Sequence, residues 1–444
     1  MATIRFTILM GILLTFVSRE APAQEVREYL DLQTHPIMNF PHKLFGTGFQ
    51  YFDPKHPPKL SYNHQLKNVN YANYLEYNGG ARIWCFGLIV QEFWITKGQA
   101  RRMVLQEIAY VENFVAQHAD KFIIAYSPQQ VRDYVKNTDK TIIIFSVEGA
   151  EKILHSQQDA DFWASKGIAF ITLIHLIDGK FGGAATLPSL PTRLINFRGS
   201  IRSVFKPHTT KGLTTTGKQA ILWLANAGIM IDITHMSPQS KQDALDFMQA
   251  KGLAPISTHD SYQPIKNDSR SFTAEQIIQL YQSGGLFSLP VTMEEYKPYK
   301  EYQQRLDTMK CHCPGSVDSY KFGYQEVQQL IEKNAGKLLG DSTLAFDKLT
   351  EDQKVQLSIG FQTDFNGWTN HSRPRYGPKG CSDTIAGHHY LPIETEGLRH
   401  PGLLYSQWEL LEKEGVDLQP LLRSSEKFLQ LWEGFLERKG KLSL

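Results

Sequence analysis

Short apolar segments rich in β-branched and aromatic residues recur along the chain, and stretches with helical spacing separate them. Most of these segments are apolar without interruption, as strands are when both faces of a parallel sheet are covered. The alternation predicts an α/β fold, and its eight repeats predict a (β/α)8 TIM-type barrel. The candidate strands are residues 29–33, 82–90, 141–147, 169–174, 229–234, 254–258, 285–290 and 358–363.

Helices are predicted at residues 98–118, 216–227, 273–283, 325–335 and 422–438. Gly228 is a candidate C-cap of the second helix, because glycine readily adopts the left-handed conformation that ends many helices. Thr273 is a candidate N-cap of the third, because its hydroxyl can accept a hydrogen bond from a free backbone N–H. Long polar loops are predicted at residues 40–78, 178–212 and 369–391, and such loops usually form the C-terminal face of a barrel.

The N-terminus has the pattern of a secretory signal peptide. Arg5 precedes an apolar run over residues 6–17, and Ala21-Pro22-Ala23 provides an A-x-A cleavage site. The run is too short to span a bilayer comfortably, which argues against a membrane anchor. We therefore predict a signal peptide over residues 1–23 and a secreted or periplasmic mature chain with no stable membrane span. Residues 24–444 are predicted to form a single barrel domain with an insert around residues 291–357.

The four cysteines lie in two different settings. Cys85 belongs to an apolar run, and we predict a buried free thiol there. Cys311 and Cys313 flank a histidine in a polar, turn-rich insert, but the second cysteine pair of a zinc site is missing. We therefore expect a disulfide from one of these two to Cys381, which an exported chain can keep.

Six predicted strands end in imidazole or carboxylate side chains. The carboxyl ends of barrel strands meet at one face, so these distant residues are expected to surround one point. Taken singly, each is more often a core or loop residue, but their joint occurrence favours a site for zinc or a related divalent ion. The residues are Asp31, Gln33 and His35 after the first strand, then Glu148, His175, His235, His259 and Asp364.

These strand ends resemble those of the membrane (renal-type) dipeptidase family, a group of amidohydrolase-like metal-dependent hydrolases. The similarity runs as separate islands from Asp31 almost to the C-terminus, and includes VEGA, TLIH, GKQAILWLANAGIMIDITHMS, PISTHD and IGFQTDFNG. The resemblance implies that Glu148 bridges two zinc ions and that His235 and His259 are metal ligands. It also implies that His175 contacts the substrate and the developing oxyanion.

The resemblance implies two further roles near the end of the barrel. Asp364 corresponds to the carboxylate that handles the proton during hydrolysis. Arg270 lies eleven residues after His259, a spacing compatible with the arginine that binds the substrate carboxylate. A solvated loop arginine remains an equal alternative for Arg270.

The chain departs from the family pattern at the first strand, where the family usually has His-x-Asp. If Asp31 aligns with the preceding aspartate of the family, Gln33 and His35 occupy those two positions. A second alignment places His35 at the histidine and Ile37 at the aspartate. Glutamine is a neutral and weaker zinc ligand, so either alignment predicts an altered metal site.

The resemblance implies a zinc-dependent, dipeptidase-like hydrolase with one or two Zn²⁺ ions and a dipeptide or small amide as substrate. Two alternatives stay open: a lactone or ester hydrolase on the same scaffold, and a non-catalytic relative with a degraded first metal site. Members of the family often form homodimers. The formal net charge of +2 gives no electrostatic reason to expect nucleic acid as a partner.

Overall fold

The computed structural model describes residues 26–35, 80–90, 96–186, 211–266, 268–291, 313–365 and 369–442. Nine strands lie in this part of the chain, and all their pairings are parallel. They are β1 Leu30–Thr34, β2 Ile83–Ile89, β3 Phe122–Ile124, β4 Thr141–Glu148, β5 Ile168–Thr172, β6 Met230–Asp232, β7 Ile256–Ser257, β8 Leu286–Pro290 and β9 Ile359–Gln362.

The sheet closes on itself because β2 pairs with both β1 and β4. Eight strands form the ring, in the order β1, β2, β4, β5, β6, β7, β8 and β9. The short strand β3 pairs with the first residues of β4. Strand β5 pairs with the last residues of β4, along the same edge as β3. The predicted (β/α)8 barrel is therefore confirmed, with one additional strand.

All eight predicted strands are present in the barrel. The strand that the sequence did not predict, β3, has three residues and follows directly on a long helix. A run of three apolar residues is too short to show a strand period. Its place beside β4 depends on contacts that are distant in sequence.

Helices separate the strands and cover the outside of the ring. They are α1 Lys97–Gln117, α2 Pro128–Asn137, α3 Gln157–Ser165, α4 Thr215–Ala227, α5 Pro238–Ala250, α6 Ala274–Gln282, α7 Val317–Lys333, α8 Ala335–Leu338, α9 Glu351–Gln356, α10 Pro392–Glu396, α11 Leu404–Lys413 and α12 Gln419–Glu437. Short 3₁₀ helices lie at Phe346–Lys348 and Pro401–Leu403. All five predicted helices are found, although α7 begins earlier than predicted.

The two predicted helix caps are confirmed. Gly228 ends α4 with a φ of 82°, and its N–H donates to carbonyls of the last turn. The Thr273 side chain accepts from the Gln276 N–H, and the Gln276 side chain bonds back to the Thr273 backbone in a capping box. These local signals fix the end of α4 and the start of α6.

The barrel interior is packed so closely that one position admits only glycine. A Cβ atom on Gly360 in β9 would lie 2.3 Å from Ser288 Oγ and 2.6 Å from Leu32 Cδ1.

The pairing of β2 with β4 extends over seven residues and ends with Ile89 opposite Glu148, the last residue of β4. The packed ring therefore presents its functional side chains at the carboxyl end only.

The predicted insert is partly described, and it contains α7, α8 and α9. A disulfide joins Cys313, just before α7, to Cys381 in the loop at residues 369–391, and Cys85 is a buried free thiol. Both cysteine predictions are confirmed. The predicted signal peptide, the loop at residues 40–78 and residues 292–312 lie outside the described residues. None of the described helices has the length and apolarity that a bilayer span requires.

Candidate active site

Glu148, the last residue of β4, lies among four imidazoles. Its Oε1 atom is 3.1 Å from Nε2 of His235 and 3.2 Å from Nε2 of His259. Its Oε2 atom is 3.4 Å from Nε2 of His35 and 3.6 Å from Nε2 of His175. Each carboxylate oxygen therefore faces its own pair of imidazoles, which is the arrangement of a carboxylate that bridges two cations.

Burial alone would raise the pKa of Glu148, but the His175 charge and the hydrogen bonds from His235 and His259 outweigh it. The pKa of this carboxyl is thus held well below its usual range. Glu148 is only 3% exposed, so it is a buried negative charge at neutral pH. A buried charge of this kind requires cationic partners, which the imidazoles or a metal ion can provide.

One half of the site is formed by His235 and His259, whose Nε2 atoms are 2.7 Å apart. His259 Nδ1 is 2.8 Å from the Thr258 hydroxyl, which donates its own proton to Asp232. The Nδ1–H group therefore donates to Thr258, and the Nε2 lone pair points at Glu148 and His235. Burial, followed by the charge of Arg270, lowers the pKa of His235 well below its usual value. Two imidazoles and a carboxylate oxygen fit one divalent cation.

The other half of the site is formed by His35, Asp364 and the second oxygen of Glu148. His35 Nδ1 lies 2.6 Å from the Gly87 carbonyl, so Nδ1–H donates there and Nε2 faces Asp364 Oδ1 at 3.1 Å. Burial lowers the pKa of His35, but the hydrogen bond to Asp364 and the charge of Glu148 raise it to about 9. Between these carboxylates the His35 ring must hold either a proton or a cation.

Gln33 lies beside His35, with Nε2 atoms 3.2 Å apart. Its Oε1 atom is buried and has no hydrogen-bond partner among the described residues. A Cβ atom on Gly87 would lie 2.4 Å from Gln33 Nε2 and 2.5 Å from His35 Cε1, so both side chains occupy space that only a glycine leaves. An orphaned acceptor oxygen beside imidazoles and carboxylates fits a cation site, and the neutral amide makes this half the weaker one.

His175 follows β5 and faces both halves of the site. Ligand atoms of His175, Glu148 and His235 all lie within 4.8 Å of one another. The T-shaped contact between the His175 and His235 rings has centroids 4.7 Å apart. Burial, opposed by the charge of Glu148, lowers the pKa of His175. From this position the side chain can either ligate an ion or donate to a substrate oxygen.

Two site residues have unusual backbone conformations. His235 has a φ of 66° and Asp364 a φ of 48°, and they are the non-glycine residues with positive φ in the described part of the chain. The His235 carbonyl accepts from Ala185 N–H at 2.7 Å, and Asp364 N–H donates to the Gln33 carbonyl at 2.8 Å. Strained conformations of this kind persist where neighbouring contacts fix them, and they cluster at functional sites.

His371 in the loop at residues 369–391 was not predicted from the sequence as a site residue. Its Nε2–H donates to the Thr363 carbonyl at 2.6 Å, and its ring stacks on Phe365 with centroids 4.1 Å apart. Phe365 in turn accepts a hydrogen bond from the His35 N–H at 2.8 Å. His371 therefore fixes the segment that carries Asp364.

Arg270 and Asp364 line one cleft, together with His259 and with Tyr320 and Gly323 of α7. Arg270 Nη2 donates to the His259 carbonyl at 2.8 Å, and its Nε donates to Asp260 at 3.3 Å. These two bonds hold the guanidinium beside His259, and among the described residues Nη1 has no hydrogen-bond partner.

A buried ion pair that was not predicted from the sequence supports Arg270 from below. Lys241 of α5 lies 3.0 Å from Asp260, and both side chains are fully buried. Lys241 also donates to the Arg270 carbonyl and lies 3.9 Å above the Phe272 ring. Asp260 thus holds two cations, Lys241 and Arg270, next to His259.

Asp31, one of the strand-end carboxylates, accepts from the Thr363 hydroxyl at 2.5 Å. The structure brings the eight residues with predicted roles together at the carboxyl end of the barrel. Seven of them form the cluster around Glu148, and Arg270 lies in the adjoining cleft. Of the two alignments at the first strand, the structure places Gln33 and His35 at the site, and Ile37 lies outside the described residues. The roles assigned to these residues remain predictions.

Several known proteins are similar to this chain in sequence. Dipeptidase ataJ of Aspergillus terreus is 24% identical over 196 residues, which is 42% of this chain and 44% of that protein. A protein of Schizosaccharomyces pombe described as an uncharacterized dipeptidase is 26% identical over 34% of this chain and 32% of its own length. The chain thus spans less than half the length of these two relatives.

Solved structures share the fold across almost the whole chain. The probable dipeptidase PvdM of Pseudomonas aeruginosa superposes with a TM-score of 0.56 at 16% identity and covers 94% of this chain and 96% of its own. A metallopeptidase of Rhodobacter sphaeroides, solved with a phosphinate mimic of the dipeptide L-Ala-D-Ala, gives 0.55 at 16% identity, with coverages of 94% and 100%. The sequence model of the membrane dipeptidase family, Peptidase family M19, matches residues 58–312. This chain belongs to the membrane dipeptidase family.

Proposed function

We propose that this chain is a metal-dependent dipeptidase that cleaves the amide bond of dipeptides or related small amides. The observation that carries the proposal is Glu148, whose two oxygens each face a separate pair of imidazoles. Family membership and the dipeptidase names of the sequence relatives support this activity. The dipeptide mimic bound to the Rhodobacter sphaeroides enzyme supports the substrate class.

We propose zinc as the metal, because imidazoles and carboxylates are its usual ligands in hydrolases. Glu148, His235 and His259 would hold the first ion, and His35, Glu148 and Gln33 the second. Such ions would supply a Lewis acid that activates water near neutral pH and polarises the scissile carbonyl. The neutral Gln33 amide makes the second position weaker than the first.

The side chains of the cleft would perform the remaining steps. Asp364, fixed by its bond to the Gln33 carbonyl, accepts the proton of the attacking water and delivers it to the leaving amine. His175 donates a hydrogen bond to the oxyanion that develops on the carbonyl oxygen. Arg270 offers Nη1 to the terminal carboxylate of the dipeptide, at a fixed distance from the scissile bond.

The Arg270→Met variant tests this assignment. We expect kcat/KM for a dipeptide to fall by roughly 10- to 100-fold, because a hydrogen bond to a charged group contributes about 1.5–3 kcal/mol. For the same dipeptide with an amidated C-terminus, the variant should keep nearly the wild-type kcat/KM, because this substrate carries no carboxylate for Arg270. Steady-state kinetics on the matched pair of substrates measures the difference, with Arg270→Lys as the variant that keeps the charge.

An equal loss on both substrates would contradict the carboxylate contact and assign Arg270 to the support of His259. A wild-type enzyme that hydrolyses lactones or esters and leaves dipeptides intact would favour the first alternative. A chain that binds no metal and hydrolyses neither class would favour a non-catalytic relative.

We also propose that the chain is exported to the periplasm or beyond the cell. The signal-peptide pattern of residues 1–23 supports export, and the Cys313–Cys381 disulfide is compatible with an oxidising compartment. The intact mass of the protein from its native host should correspond to a chain that begins at Gln24. A mature chain that keeps residues 1–23 would contradict export by cleavage.

A further inference from the structure

A second cleft of about 700 Å³ opens at the amino end of the barrel, opposite the metal ligands. Its walls come from α12 and from the segments that lead into β7, β8 and β9. The proposed reaction uses none of these residues. The lining residues that carry the argument are Leu253, Gln356, Lys427, Leu431, Gly434 and Arg438.

The charges of this cleft are all of one sign. Lys427 and Arg438 line it, and no aspartate or glutamate does. Lys427 is only 2% exposed. Its Nζ donates to Gln356 Oε1 at 2.5 Å, which is its one hydrogen-bond acceptor among the described residues. The ammonium group therefore has hydrogen-bonding capacity left and no counter-charge.

Two other buried cations in the described part of the chain are paired. Lys241 lies 3.0 Å from Asp260, and Arg132 is bound to Glu426 and Glu433. Burying a cation without an anion is costly, and burial alone lowers the pKa of Lys427 to about 7. Lys427 thus differs from these paired cations, and an external anion bound beside it would favour its charged form.

A glycine of α12 faces the open cleft. Lys427, Leu431, Gly434 and Arg438 follow one another at helical spacing and share one face of α12. A Cβ atom on Gly434 would meet no atom within 4 Å. Glycine weakens a helix relative to alanine, so nothing in local packing explains its presence on this face.

We propose that this cleft binds a small organic carboxylate whose acid group pairs with Lys427 and whose apolar part lies against Leu253, Leu431 and Phe435. These apolar walls are largely buried and line the same cleft as Lys427. Arg438 lies about three turns further along α12, where it donates to the Gly252 carbonyl, and it adds positive charge at that end of the cleft. A free amino acid is a poor ligand, because its ammonium group would find no carboxylate in the lining. The cleft is therefore distinct from a second site for the products of dipeptide hydrolysis.

Butyrate, butyramide and 2-aminobutyrate are suitable probes, because they share a carbon skeleton and differ in charge. Titration calorimetry on the full-length mature protein should detect butyrate binding. Butyramide lacks the negative charge and 2-aminobutyrate adds a positive one, so both should bind at least tenfold more weakly. The Arg270→Met variant should bind butyrate as the wild type does, which separates this cleft from the active site.

Two variants locate the binding. Lys427→Met removes the cation at nearly constant length, and Gly434→Leu fills the cleft while keeping the amine. Both should weaken butyrate binding at least tenfold and keep wild-type hydrolysis, whereas Gly434→Ala should bind butyrate normally. Absence of butyrate binding to the wild type, or binding that survives both Lys427→Met and Gly434→Leu, would overturn the proposal.

Discussion

The Glu148→Gln variant is expected to lose at least about 10⁴-fold in kcat/KM for dipeptides. The substitution keeps the shape of the side chain and removes its charge. Each oxygen of Glu148 faces two imidazoles within 3.1 to 3.6 Å, so a neutral amide weakens both cation positions at once. Lewis-acid catalysis contributes several kcal/mol, and about 1.4 kcal/mol corresponds to a tenfold change in rate.

The metal content of the purified variant measures the cause of this loss. We expect elemental analysis after dialysis to find less metal per chain than in the wild type, and added metal to restore binding only at higher concentration. Glu112→Gln is a matched control, because Glu112 carries the same group at an exposed position where it accepts from the Tyr126 hydroxyl. An active Glu148→Gln enzyme with full metal content would contradict a bridging carboxylate.

The barrel could be predicted from the sequence because each of its strands is buried on both faces. Continuous apolar runs such as residues 141–147 have no other stable place than a covered parallel sheet. The grouping of the side chains at the strand ends then followed from topology alone, because parallel strands bring their carboxyl ends to one face. Glu148, His235 and His259 could therefore be placed together although they are far apart in the sequence.

The position of Gln33 beside His35 at the end of the first strand also has a physical explanation. Residues two apart in a strand point to the same face, so Gln33 and His35 project together from the end of β1. Gly87 of β2 provides the space for both side chains. The two-residue spacing of Gln33 and His35 is visible in the sequence. The space that Gly87 leaves for them can be recognised only when the pairing of β1 with β2 is known.

Residues that support the site were missed because nothing local marks them. Lys241 has the composition of an ordinary helix residue, yet it is fully buried against Asp260. His371 lies in a loop of mixed polar residues, and its role depends on stacking against Phe365. Both act through contacts between segments that are separate in the sequence. Hydrophobic periodicity carries no information about such pairs.

The Asp364→Asn variant is expected to lower kcat by about 10²- to 10⁴-fold and to change KM little. The asparagine keeps the size of the side chain and its acceptor oxygen toward His35, which lies 3.1 Å from Asp364 Oδ1. It cannot accept a proton, and positioned general bases contribute rate factors of this size. His235 and His259 face Oε1 of Glu148, away from His35 and Asp364. The first metal position, which they form with Glu148, should therefore stay filled.

Steady-state kinetics combined with elemental analysis distinguishes Asp364 from the metal ligands. Loss of kcat with at least one metal ion retained per chain identifies a proton acceptor, whereas Glu148→Gln should lose rate and metal together. Asp383→Asn, in the exposed part of the loop at residues 369–391, is the matched control and should behave as the wild type. A raised KM with unchanged kcat in Asp364→Asn would instead assign this carboxylate to substrate binding, because uniform binding of substrate and transition state affects KM alone. The left-handed backbone at Asp364, with a φ of 48°, would then serve to aim a binding group rather than a base.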